Sequence, residues 1–81
     1  MKANIYVTLK KEVLDPQGDA VERALHALGF EGVRSVRVGK FIEIDLPEGT
    51  SRPKEELEAM CKKLLSNPVI EDFRVELAED V

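Results

Sequence analysis

The order in which hydrophobic periodicity changes along this chain constrains its fold more than any other feature. Apolar residues alternate at Ile5, Val7 and Leu9, with Tyr6 and Thr8 pointing the other way, which is the period of a half-buried strand. They then recur at Ala20, Val21, Ala24, Leu25 and Leu28, one face of a helix. The succession returns at an offset of 37 residues. Ile5, Val7 and Leu9 match Ile42, Ile44 and Leu46, and Pro16 matches Pro53. Ala20, Ala24, Ala27 and Leu28 match Leu57, Cys61, Leu64 and Leu65. Val33, Val36, Arg37 and Val38 match Ile70, Phe73, Arg74 and Val75. Most matched positions are apolar, so duplication and shared fold constraints would each account for them. Both accounts imply two equivalent βαβ units.

Punctuation places the elements. Lys11–Gly18 reads as a loop in which Asp15 caps the first helix and Pro16 opens it, since a first-turn proline loses no hydrogen bond. Gly29 supplies the left-handed stop. Val33–Val38 reads as a second strand and Phe41–Leu46 as a third, joined at Val38-Gly39-Lys40. A two-residue turn would mix apolar and charged residues on one face. A three-residue loop or a bulge near Gly39 pairs Val38 with Ile42 and Val36 with Ile44, giving one apolar face. After the Pro47–Thr50 turn, Thr50 or Ser51 caps a second helix with Pro53 in its first turn. Leu57, Met60, Cys61, Leu64 and Leu65 form its stripe, and Asn67-Pro68 stops it. Phe73, Val75 and Leu77 alternate in a fourth strand, and residues 79–81 are expected to fray. The order β-α-β-β-α-β predicts an α+β two-layer sandwich of the ferredoxin-like kind, a single domain over residues 1–81 with both helices on one face of an antiparallel sheet. The first helix uses Ala where the second uses Leu, so it is expected to lie closer to the sheet.

Eighty-one residues support one small core, whose net stability is near zero on an area-minus-entropy estimate. Self-association to a dimer or larger is the natural remedy, more so with apolar strands and no further helix to cover a sheet edge. The chain is 43% hydrophobic and 35% charged, as a soluble globular domain is. Its net charge of -4, with no block of Lys and Arg, argues against nucleic acid as a partner. No apolar run approaches a membrane span and no signal-peptide pattern is visible, so the expected location is the cytoplasm.

The chemistry-bearing residues do not assemble into a catalytic set. His26, the only histidine, falls off the apolar face of its helix, has no partner for catalysis or metal binding, and is expected to be a surface residue. Cys61, the only cysteine, lies on the core stripe, where it acts as a small hydrophobe rather than a nucleophile. Glu12, Asp15 and Asp19 lack the spacing of a calcium loop, and helix-start capping explains the two aspartates. Arg37, Gly39 and Lys40 suit either contact with an anion or acidic partner, or a solvated turn. Gly29, Gly32 and Gly39 lack dinucleotide or phosphate-loop spacing. An RNA-recognition module would need sheet-face aromatics on the second and third strands, and these are not expected here. An acylphosphatase-like enzyme would need an arginine-bearing phosphate loop after the first strand, which Lys11–Asp15 does not supply. No metal or cofactor site is expected. The absence of a catalytic set points to binding or assembly.

Three segments resemble the PurS family: Val13-Leu14-Asp15-Pro16-Gln17-Gly18, Val36-Arg37-Val38-Gly39-Lys40, and Leu64 through Val75 with Asn67-Pro68 in its middle. The resemblance runs from the first strand to the last. It implies a non-catalytic subunit of the phosphoribosylformylglycinamidine (FGAM) synthase complex of purine biosynthesis, a homodimer or higher homo-oligomer. Such a subunit bridges the glutaminase PurQ and the synthetase PurL and assists ammonia transfer. It implies no cofactor in this subunit, ATP and Mg2+ being used by the complex through PurL. The family-like positions Asp15, Pro16, Gln17, Gly18, Arg37, Gly39, Lys40, Asn67 and Pro68 are then candidates for partner contact or turn geometry. A small-ligand-binding regulatory dimer of the same fold class is the alternative.

Overall fold

The strand that begins the chain becomes the centre of the sheet. In a computed structural model that describes residues 1–78, β1 (Lys2–Leu9) lies between β2 (Gly39–Asp45) and β3 (Glu71–Ala78), in the order β2-β1-β3. Both pairings are antiparallel. Ile5 is opposite Ile42 and Val75, Ala3 opposite Ile44 and Leu77, and Val7 opposite Phe73. The period-2 alternation of β1 therefore puts Ala3, Ile5 and Val7 on one face, and all three are fully buried. The helix α2 (Pro53–Met60) closes that face with Leu57, and Cys61 follows it into the core. Ile42, Ile44, Met60, Phe73 and Val75 pack around them, half-buried. Complete burial of Ile5, Val7 and Leu57 contributes about 1.5–3 kcal/mol each. The architecture is α+β, β-α-β-α-β, a ferredoxin-like type with a three-stranded antiparallel sheet.

The strand expected at Val33–Val38 does not form, and the hairpin register drawn from it fails. This segment runs outside the sheet, and Ile42 and Ile44 pair with β1 instead. The cause is a competing acceptor. The Val38 amide donates to the Asp15 carboxylate at 3.0 Å, and the Val36 carbonyl presses on Gly18. The segment's backbone is thereby engaged by the start of the first helix rather than by a strand. The first helix, α1 (Pro16–Ala27), also lies differently from expectation. Gly18 is its only buried residue, and Ala20, Val21 and Ala24 are exposed, as is Leu28 beyond its end. It stands off the sheet instead of close to it. The molecule is accordingly long and thin, 50 × 32 × 14 Å.

Helix ends agree with the sequence at α1 and depart from it at α2. Asp15 caps α1, with Pro16 in the first turn, and Gly29 (φ 101°) terminates it while Phe30 N–H donates to Leu25 O at 2.9 Å. The cap expected from Thr50 or Ser51 is absent. Thr50 bonds back into its own turn through Pro47 O at 2.5 Å, and the residue before Pro53 is Arg52, left-handed at φ 54° with no side-chain cap. The stripe of α2 also breaks, because the helix widens to a π-helical segment at Cys61–Leu65. The wider turn rotates Leu64 to solvent, where it is 82% exposed. Ser66 then ends the helix, its hydroxyl and amide both donating to Cys61 O at 2.9 Å. Residues 79–81, expected to fray, lie outside the described residues.

Candidate functional site

The nine candidate positions converge on one end of the sheet, where β1 ends and β2 and β3 begin. The centre is Asp15, buried to 8% exposure. One carboxylate oxygen accepts from Gly18 N–H at 2.9 Å and the other from Val38 N–H at 3.0 Å. The Gly18 bond, then the Val38 bond, holds its pKa below the ordinary value of 3.8, against desolvation and with help from the Arg37 charge. Arg37 crosses back to the end of β1, donating to Lys10 O at 2.9 Å and to Leu9 O. Two side chains, one of each charge, thus clasp the exit of β1, the start of α1 and the approach to β2.

Both glycines here are required by close approach. A Cβ on Gly18 would run into the Val36 carbonyl oxygen, and one on Gly39 would lie 2.5 Å from Val7 O. Pro16 and Gln17 are exposed on the first turn of α1. Lys40 reaches Glu71 at 3.9 Å, and Glu71 ties in the last pair: its amide donates to Asn67 O and its carboxylate accepts from Asn67 N–H, each at 2.7 Å. The Asn67 side chain accepts from Val69 N–H at 3.1 Å, which shapes the turn that exposes Pro68. A cleft of 190 Å³ opens between Leu9, Gln17, Lys40 and Glu71. Glu71 is the residue that sequence reasoning missed here, because nothing in its spacing marks the contact with Lys40 on a strand that β3 does not adjoin.

This corner holds charge and shape but no reacting group. Cys61 lies in the core instead, and burial, with a smaller push from Glu58, raises its thiol pKa. His26 is half-buried rather than on the open surface, and its ring donates from Nε2 to Val33 O at 2.7 Å, pinning the segment after α1. Among the described residues no three His, Cys, Asp or Glu side chains could hold a metal ion. No described helix is long and apolar enough to cross a membrane.

A chain of this shape, with its family-like residues gathered at one corner, invites comparison with known proteins. The family model PurS, Phosphoribosylformylglycinamidine (FGAM) synthase, matches residues 2–79. This chain belongs to the PurS family. A curated relative, the PurS subunit of phosphoribosylformylglycinamidine synthase from Bacillus subtilis, is 45% identical over 80 residues, covering 99% of this chain and 95% of the relative. The crystal structure of Methanocaldococcus jannaschii PurS superposes with a TM-score of 0.87 at 45% identity, covering 99% of this chain and 98% of that one. A chain of the PurLQS structure from Thermotoga maritima matches with a TM-score of 0.74 at 28% identity, over 93% of each chain. PurS chains are subunits of FGAM synthase, a ligase complex.

Proposed function

We propose that this chain is the non-catalytic PurS subunit of an FGAM synthase complex, joining a glutaminase, PurQ, to an ATP-dependent synthetase, PurL. The observation that carries the reading is full-length membership of the PurS family, with the PurLQS assembly of Thermotoga maritima among its structural relatives. The chemistry is consistent with it. Ammonia released by a glutaminase is mostly protonated near neutral pH and lost to water. Docking the two active sites together raises its effective concentration at the acceptor. A subunit that holds partners needs surfaces, not nucleophiles. ATP and Mg2+ belong to PurL in this scheme, and the complex works in the cytoplasm.

The chain acts as a homodimer or higher homo-oligomer. Helix α1 supports this, because a 12-residue helix that packs on little else is marginal in water. Val21, Leu28 and Phe30 are 41%, 74% and 58% exposed along this arm, and a second copy is the occupant always present to cover them. Sedimentation equilibrium at micromolar concentration is expected to show no dominant monomer.

The decisive test compares glutamine-supported with ammonia-supported product formation by PurL and PurQ, with and without this chain. Omitting it is expected to abolish most of the glutamine-supported rate and to spare the ammonia-supported rate. An unchanged ratio would remove the coupling role.

A further inference from the structure

The sheet ends in two free edges, β2 on one side and β3 on the other. On β3 the unpaired backbone groups can be assigned. The Lys10 amide donates to Ile70 O at 2.8 Å, one step beyond the registered pair of Leu9 and Glu71. Antiparallel ladders alternate bonded and unbonded pairs, so Asp72, Arg74 and Glu76 turn their amides toward β1. Phe73, Val75 and Leu77 turn theirs outward, where no described strand meets them. The side chains follow the pleat. Phe73 and Val75 stand half-buried on the α2 face with Leu77, which is 41% exposed. Arg74 and Glu76 stand on the other face, 3.3 Å apart, with the Arg74 guanidinium 4.2 Å from the centre of the Tyr6 ring. Phe41 lies 5.2 Å from Tyr6 on that face, so the sheet does carry face aromatics, contrary to the expectation from sequence.

We propose that β3 is an interface between two copies of this chain, paired edge to edge and antiparallel about a two-fold axis at Val75. The proposal rests on the homo-oligomer reading above and names a contact that shares no residue with the α1 arm. A two-fold interface must be self-complementary, and register shows that β3 is. Residues directly opposite in an antiparallel pair share a face and touch. With Val75 on the axis, Arg74 lies opposite Glu76 of the second copy, and Glu76 opposite its Arg74. Phe73 and Leu77 oppose each other on the α2 face, so the two cores join and the exposed Leu77 is covered. The outward amides and carbonyls of Phe73, Val75 and Leu77 then bond to one another across the axis. Neighbouring registers lose the match. An axis at Arg74 sets Arg74 against itself and Asp72 against Glu76, and an axis at Glu76 sets two glutamates together. The other edge has no such register, since β2 centred on Ile42 opposes Lys40 to Ile44 and Phe41 to Glu43. Nor does β3 carry the usual guards against edge pairing, because Phe73–Leu77 contains no proline and no charge on the core side.

Two charge reversals and their mixture test the register. Arg74→Glu and Glu76→Arg each set like charges opposite one another across the axis. Each is expected to weaken self-association at least about tenfold at low salt, read by sedimentation equilibrium. Mixed in equal amounts, the two variants regain every opposite-charge pair, because each chain supplies the charge the other lacks. The mixture is expected to associate within about threefold of the parent. Both side chains are exposed, so circular dichroism is expected to show the parent fold. Hydrogen exchange on the parent needs no variant, and decides alone if a variant does not fold. The Phe73, Val75 and Leu77 amides are expected to exchange more slowly as protein concentration rises. Variants that associate like the parent, no recovery on mixing, or fast exchange of these amides at every concentration would overturn the proposal. The homo-oligomer reading would survive each of these if the parent associates. A parent that stays monomeric would overturn both.

Discussion

The two halves of this chain share a hydrophobic pattern and meet different fates. In the second half, α2 closes the sheet with Leu57, and Phe73 and Val75 enter it as β3. In the first half, the matching α1 stands off the sheet, and Val36 and Val38 stay outside it. Periodicity sets which residues prefer burial, but a backbone amide can bond to only one acceptor at a time. The Asp15 carboxylate takes the Val38 amide, whereas the equivalent position in the second half is Arg52, which carries no carboxylate. Side-chain volume points the same way. Leu57 and Cys61 fill the space over Ile5, whereas Ala20 and Ala24 at the matching positions bring too little apolar surface to compete for it.

The largest break in this comparison is expected in the core. Leu57→Ala removes a fully buried side chain and is expected to cost about 2–5 kcal/mol, read as a lower denaturant midpoint. Val21→Ala on α1 touches a side chain 41% exposed and is expected to change the unfolding of a single copy by less than about 0.5 kcal/mol. Its effect belongs in the concentration dependence of self-association instead. Equal costs at the two sites would mean that α1 is packed as α2 is.

Gly18 and its repeat equivalent Glu55 sharpen the contrast at helix starts. Gly18→Ala drives a methyl into the Val36 carbonyl and the Asp15 carboxylate, and is expected to cost about 1–3 kcal/mol. Glu55→Ala, on an exposed first turn and paired among the described residues with Arg52 at 3.8 Å, is expected to cost less than about 0.5 kcal/mol. Chemical denaturation of both variants, at one protein concentration, makes the comparison.

The Asp15 carboxylate gives a smaller, pH-dependent effect. Its pKa is lower in the folded chain than the ordinary 3.8, so the unfolded chain binds its proton first as pH falls. The stability it supplies is complete above the ordinary value and is lost as pH drops through the lower, folded value. In Asp15→Asn this contribution to the acid limb is expected to vanish, leaving a shallower decline in urea midpoint below pH 4. A decline identical to the parent's would show that the carboxylate is not held by the Gly18 and Val38 amides.

What could be read from the sequence was local. The alternation of β1 and β3, the Asp15 cap and the Gly29 stop all depend on neighbours within a turn or on one strand's own period. The wrong turn came at Val33–Val38, whose alternation is genuine but whose amide partner lies 23 residues earlier, on Asp15. That error propagated. Pairing Phe41–Leu46 with the wrong strand hid the contact of the Tyr6 and Phe41 rings, 5.2 Å apart, which exists only because β2 lies beside β1. The π-helical widening at Cys61–Leu65 was hidden for another reason, since Leu64 fits the helical stripe that the widened turn then rotates away. At the corner, Asp15 and Gly18 could be read as a helix start. The crossing of Arg37 to Leu9 and Lys10 could not, because no local rule links a side chain to carbonyls on a distant strand.

The smallest effect on stability, and the finest test of the comparison, lies in cysteine chemistry at equivalent positions. Cys61 is fully buried and its thiol pKa is raised, chiefly by desolvation. The thiolate is the reactive species, so burial and the higher pKa both slow attack, and modification by a maleimide is expected to be slow in the native state and fast in urea. Ala24 is its equivalent in the first half and is exposed on α1. In a Cys61→Ala background, Ala24→Cys is therefore expected to label rapidly at low protein concentration. If a second copy covers α1, the rate falls as concentration rises, by the fraction of chains associated. Fast labelling at every concentration would leave α1 bare and remove the support it gives to self-association. Slow labelling at every dilution would mean that α1 is covered from within its own chain, and the contrast between the halves would no longer hold.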